Sequence, residues 1–148
     1  KFVQDNQSRS KKGILRGMHF QIKRPQAQII TVLRGCVYDV GVDLRIKSPT
    51  FGHFFGIKLS DDGPRQIYMA PGFAHGFCVL SDFADLHYKV SRSYDPSDEC
   101  GLHWNDSEIN IQWPSIPLEV NQRDENYQSL AELKINNQLP HYPPIYST

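Results

Sequence analysis

Short runs rich in Val, Ile, Phe and Tyr, separated by Gly, Pro, Asp and Ser, dominate the chain up to Tyr94. The runs fall at residues 14–20, 28–33, 36–43, 51–59, 66–69, 77–80 and 86–90. Breaks come at Arg34-Gly35, Lys47-Ser48-Pro49, Asp61-Asp62-Gly63-Pro64 and Pro71-Gly72. Many short strands at fairly even spacing predict an all-β sandwich, jelly roll or small barrel. After Tyr94 the texture changes. Pro96, Trp104, Trp113, Pro114 and Pro117 mark an irregular stretch anchored by large aromatics, and residues 129–134 suit a short helix. The tail over 136–148, with Pro140, Pro143 and Pro144, reads as an extended strap or loose segment.

Composition narrows the class. A chain of 148 residues suits one domain with a single core, and 39% hydrophobic with 22% charged residues excludes wholesale disorder. No apolar run reaches the roughly 18 residues of a membrane span. Sixteen basic residues balance sixteen acidic ones, which argues against nucleic-acid binding, because phosphate backbones want a basic face. A few converging Arg or Lys would still suit a small anion. Cys36, Cys78 and Cys100 form an odd set with no CxxC spacing, so neither a disulfide framework nor a zinc site is expected. Reduced thiols in the cytoplasm fit best, with Cys36 and Cys78 as small core residues. The start, Lys1-Phe2-Val3, enters strand-like sequence without an initiator Met, which reads as a fragment of a longer protein.

Three segments carry candidate chemistry. In Arg16-Gly17-Met18-His19-Phe20-Gln21, a lone histidine at the end of an apolar strand is ordinarily a packed core or edge residue. Strict strand alternation sets Arg16 and His19 on opposite faces, whereas a bulge at Gly17 would bring both to one side. In Pro71-Gly72-Phe73-Ala74-His75-Gly76-Phe77, a turn delivers His75 between small residues, either packed beneath that turn or open to a ligand. In Leu86-His87-Tyr88-Lys89-Val90, the two-residue period puts Leu86, Tyr88 and Val90 on the inward face. A buried Tyr88 needs only a hydrogen-bond partner, but at an open barrel mouth it would also serve as an acid. A metal is not expected: a cupin site resembles His-x-His, then Glu, then a later His, and here Phe20-Gln21 follows His19.

Taken together these segments resemble the dTDP-4-dehydrorhamnose 3,5-epimerase family. The resemblance runs through Phe2-Val3-Gln4-Asp5-Asn6, Leu15-Arg16-Gly17-Met18-His19-Phe20, Pro25-Gln26-Ala27, Arg34-Gly35 and Val42-Asp43-Leu44-Arg45. It continues in Ser48-Pro49-Thr50-Phe51-Gly52, Gly72-Phe73-Ala74-His75-Gly76-Phe77, Tyr88-Lys89 and Trp113-Pro114, covering most of residues 2–125 in one order. It implies a cupin-type jelly roll over residues 1–125, a C-terminal extension over 126–148 and a homodimer. It also implies an activity needing no cofactor: inversion of C3, C5 or both in a nucleoside-diphospho-4-keto-6-deoxyhexose, a step of deoxysugar and cell-surface polysaccharide biosynthesis.

By that resemblance His19 is the base, Asp124 the carboxylate that orients it, and Tyr88 the opposing acid. Arg16 is implied as the diphosphate contact and Gln4 and Asn6 as nucleotide contacts. Tyr94 is implied to stack on the nucleobase. Glu99 and Arg123 are further binding positions, and His75 with Asp39 is a pair beside the sugar. Two departures stand out. The family usually carries Lys after Pro-Gln-Ala, placed to steady the enolate oxygen, where this chain has Gln28. Family members also have an N-terminal segment with contacts exchanged between subunits, so a truncated sequence is expected. Two alternatives remain: a 3,4-ketoisomerase, and a sugar-nucleotide-binding cupin without activity.

Overall fold

A computed structural model describes residues 1–141. Ten strands and two short helices follow the chain: β1 (Gln4–Lys11), β2 (Ile14–Gln21), β3 (Gln28–Arg34), β4 (Cys36–Asp43), β5 (Phe54–Ser60), β6 (Gln66–Met69), β7 (Phe73–Val79), β8 (Phe83–Val90), β9 (Glu99–Gly101), β10 (Glu119–Val120), α1 (Gln122–Glu125) and α2 (Leu130–Ile135). They form a jelly roll of two sheets. One has the order β1-β8-β3-β6; the other runs β10-β2-β7-β4-β5, with β9 also paired to β2. All pairings are antiparallel except β10 with β2.

Two apolar clusters explain the burial pattern. Between the sheets lie Ile30, Val32, Val37, Leu59, Met69, Phe77, Val79 and Leu86. On the far side of the larger sheet, Met18, Phe20, Val40 and Val42 meet Leu102, Ile109, Ile111, Leu130, Leu133 and Leu139. The larger sheet is therefore covered on both faces, by the other sheet and by the C-terminal segment. That is why β4 is buried almost throughout rather than alternating. The helix expected over 129–134 appears as α2, closed by a Ser129–Glu132 capping box.

Several boundaries moved. Residues 51–53, read as strand, are turn, and β7 begins at Phe73, so His75 sits within a strand rather than beneath a turn. The strand-like start of the chain extends into β1, whose polar run Gln4, Asp5, Asn6, Gln7, Ser8 and Arg9 is paired with β8 along its length. Cys78 is buried, whereas Cys36 is only partly so, and all three cysteines are free thiols. The strap expected over 136–148 lies partly outside the described residues; within them, Leu139 joins the core and Ile46 N–H donates to Pro140 O.

Candidate active site

The β2–β7 register carries the key local event. Arg16 stands opposite Phe77, and His19 opposite His75, with one extra residue on β2 between them. Phe77 and His75 are two apart on one strand and share a face, so the bulge turns Arg16 and His19 to the same side. Gly17 makes it sterically feasible. Its φ is +129°, and a Cβ there would lie 2.6 Å from Gly76 Cα and 2.9 Å from His75 O.

That side opens on a cavity of about 190 Å³, lined by Arg16, His19, Gln28, His75 and Tyr88 within and by Asn6, Tyr94 and Glu99. Gln21, Gln26, Phe73 and Phe77 line it as well. Their sequence motifs assign them no role, because an amide or phenylalanine in a strand has no chemical signature until the faces are known.

His19 Nε2 lies 2.9 Å from Asp124 Oδ1, and Gly17 N–H donates to Asp124 Oδ2 at 2.9 Å. The Asp124 side chain is fully buried. Burial alone opposes its ionisation, but the bond from His19, the Gly17 amide and the nearby Arg123 cation outweigh that, and its pKa is lowered. An ionised carboxylate only accepts, so Nε2 must carry the hydrogen, which leaves Nδ1 as the basic nitrogen. Arg123 Nη2 lies 3.4 Å from the same Nε2. Since both atoms bear hydrogens in this tautomer, that approach is no hydrogen bond; both groups converge on Asp124 Oδ1, with Arg123 Nε at 3.3 Å.

Tyr88 points inward as its strand period requires, with its hydroxyl 3.4 Å from Ser8 Oγ and its ring edge-on to His75. Burial pushes its pKa up and outweighs the opposing hydrogen bond with Ser8, while the smaller influences of the Asp39 carboxylate and the Arg16 cation act in opposite directions. The phenol therefore stays protonated at neutral pH. His75 Nε2 is 2.9 Å from Asp39 Oδ2, and the Asp39 carboxylate is fully buried behind it. Arg16 Nε donates to Ser10 Oγ at 3.3 Å, which ties the guanidinium to β1.

The remaining polar residues form a chain at the mouth. Gln4 Nε2 donates to Asn6 Oδ1, and Gln4 Oε1 accepts from Tyr94 N–H. Tyr94 Oη and Arg123 Nη1 both donate to Glu99 Oε2, at 2.9 and 3.0 Å. Gln4, Asp39, Arg123 and Asp124 thus stand behind lining residues rather than on the cavity wall.

The model of the dTDP-4-dehydrorhamnose 3,5-epimerase family matches residues 1–132. The chain belongs to this family. The Escherichia coli dTDP-4-dehydrorhamnose 3,5-epimerase is 46% identical over 134 residues, spanning 89% of this chain and 72% of the relative. A dTDP-4-dehydrorhamnose 3-epimerase of Streptomyces niveus is 43% identical, over 96% of this chain and 69% of its own. The dTDP-6-deoxy-D-glucose-3,5-epimerase of Legionella pneumophila, solved with dTDP-4-keto-L-rhamnose, superposes with a TM-score of 0.90 at 43% identity, over 96% of this chain and 76% of that one. This chain thus spans 69–76% of the length of these three relatives, and its fold is the family's cupin-type jelly roll.

Proposed function

We propose that the protein is a sugar-nucleotide epimerase that inverts C3, C5 or both in a dTDP-linked 4-keto-6-deoxyhexose, for deoxysugar biosynthesis. The observation that carries this reading is the shared cavity: an imidazole backed by a buried carboxylate and a protonated phenol line one space. His19 takes the proton from the carbon beside the ketone, and the electron pair delocalises onto the ketone oxygen as an enolate. Tyr88 returns a proton from the other face, inverting the centre, and both groups then exchange protons with water. A positioned acid or base contributes on the order of 10²- to 10⁴-fold each. Asp124 holds the His19 tautomer and offsets the charge of the imidazolium.

In this reading Arg16 binds the diphosphate, Asn6, Tyr94 and Glu99 hold the nucleotide end with Gln4 and Arg123 supporting them, and Gln28 and His75 face the sugar with Asp39 behind His75. The protein works as a cytoplasmic homodimer. Exposed Leu33 and Tyr68, on neighbouring strands of the smaller sheet, support a subunit contact there. No helix among the described residues is long and apolar enough to cross a membrane. A second reading, inversion at C3 alone, is favoured by the Streptomyces niveus 3-epimerase, whose match extends over 96% of this chain.

The test is incubation with dTDP-4-keto-6-deoxyglucose in deuterated water, followed by NMR. Label at C3 and C5 supports double inversion, and label at C3 alone supports the second reading. No wash-in, or exchange persisting in His19→Asn, would sink the assignment of His19 as base.

A further inference from the structure

The hydrogen bond to Asp124 fixes one corner of the His19 ring, but the torsion about its Cβ–Cγ bond has broad minima and needs a second restraint. Tyr127 stands where that restraint must be. Its ring meets the imidazole edge-on, with centroids 5.7 Å apart and planes at 79°. Edge-to-face pairs of this kind have a preferred geometry and resist rotation out of it.

The ring of Tyr127 is itself held in place. It lies flat against β9 at Gly101, where an added Cβ would come within 2.2 Å of Tyr127 Cγ and Cδ2. Gly101 is in turn the cross-strand partner of His19, so this glycine leaves the notch through which the phenol reaches the base. The segment is anchored on both sides. Asn121 Oδ1 accepts from Asp124 N–H at 2.9 Å, and His103 N–H donates to Gln128 O at 2.8 Å. One short turn thus delivers Asp124 and Tyr127, three residues apart, to two sides of the same imidazole.

We propose that Tyr127 is a positioning residue that fixes the plane of the His19 ring, so that Nε2–H meets Asp124 while Nδ1 is aimed at the substrate carbon. The inference rests on His19 as the base. The aromatic ring does this work rather than the hydroxyl, whose pKa burial raises further from neutrality.

The experiment compares Tyr127→Phe, Tyr127→Leu and Gly101→Ala, the last of which displaces the ring while keeping it. Thermal unfolding confirms that each variant is folded. Misplacement of a reacting group by about 1 Å costs up to about 100-fold. Tyr127→Leu and Gly101→Ala are therefore expected to lose about 10- to 100-fold in kcat for deuterium exchange with KM nearly unchanged, and Tyr127→Phe to restore wild-type kcat. Nitrogen NMR of the His19 ring gives an answer independent of turnover. A single Nε2–H tautomer in the wild type and Tyr127→Phe should become an exchanging mixture in Tyr127→Leu. An unchanged ring signal in Tyr127→Leu, or wild-type kcat there, overturns the proposal, whereas exchange surviving in His19→Asn overturns the base and not the packing.

Discussion

Replacing Asp124 with Asn tests the carboxylate at nearly constant shape. The native side chain accepts from two donors, Gly17 N–H and His19 Nε2–H, each at 2.9 Å, through two separate oxygens. Asparagine has one oxygen. If it keeps Gly17, its amide N–H₂ faces His19 and donates to Nε2, so the ring proton shifts to Nδ1 and blocks the basic nitrogen. Loss of the correct tautomer in a carboxylate–histidine pair costs about 10⁴ in kcat, and loss of the charge removes support for the imidazolium. The expected fall is about 10³- to 10⁴-fold in kcat, with KM changed little. One charge-assisted hydrogen bond is worth about 1.5–3 kcal/mol, which for a domain of this size lowers Tm by roughly 3–12 °C.

The pH dependence has a definite sign. The pKa of Asp124 is lowered in the fold, so its stabilisation is complete above its unfolded value of about 4 and is lost as pH falls below that. The Tm gap between wild type and Asp124→Asn should therefore close below about pH 4. Deuterium exchange at C3 and C5 measures kcat, and calorimetry from pH 3 to 8 measures the gap. Wild-type kcat in Asp124→Asn would refute the tautomer argument, and a gap that stays constant down the acid limb would refute the electrostatic one.

Tyr88→Phe should lose about 10²- to 10⁴-fold in epimerisation while wash-in of solvent deuterium continues by way of His19, because removal of the first proton does not need the phenol. Measuring product formation and exchange on the same sample checks this. Gly17→Ala should yield unfolded or inactive protein, since its Cβ would meet backbone atoms of Gly76 and His75 that have no side-chain freedom to give way; calorimetry and the exchange assay report it. Gln28→Lys places a cation on the cavity wall, where a charge near a developing oxyanion is a large catalytic contribution. Turnover should rise with the dTDP-4-keto-6-deoxyglucose substrate, or the number of labelled carbons should change if Gln28 sets specificity, and the same NMR assay distinguishes them.

Much of the architecture was legible in one dimension. Alternation in Leu86–Val90 put Tyr88 on the inner face, and residues 129–134 read as a short helix that appears as α2, because both depend only on the local chain. The extent of β1 was not legible beyond the strand-like start at Lys1-Phe2-Val3, since its polar residues are held as a strand by pairing with β8. The pairing of Asp39 with His75 was legible only through the family pattern, since the residues of β4 are buried on both faces and do not by themselves show which way Asp39 points. Tyr127 likewise carried no signal, as its contact with His19 crosses from the short turn after α1 to β2.

The sequence alone determined the strand-rich class, the inward phenol and the family pattern that marks His19, because these are written in short-range periodicity and ordered motifs. The tertiary structure alone decided that Arg16 and His19 share a face, that Asp124 reaches Nε2 across the sheet edge, and that Tyr127 packs against the ring. Each depends on the register of one strand against another and on which neighbour leaves room, and a single residue of slip, such as the bulge at Gly17, reverses the side every following residue faces.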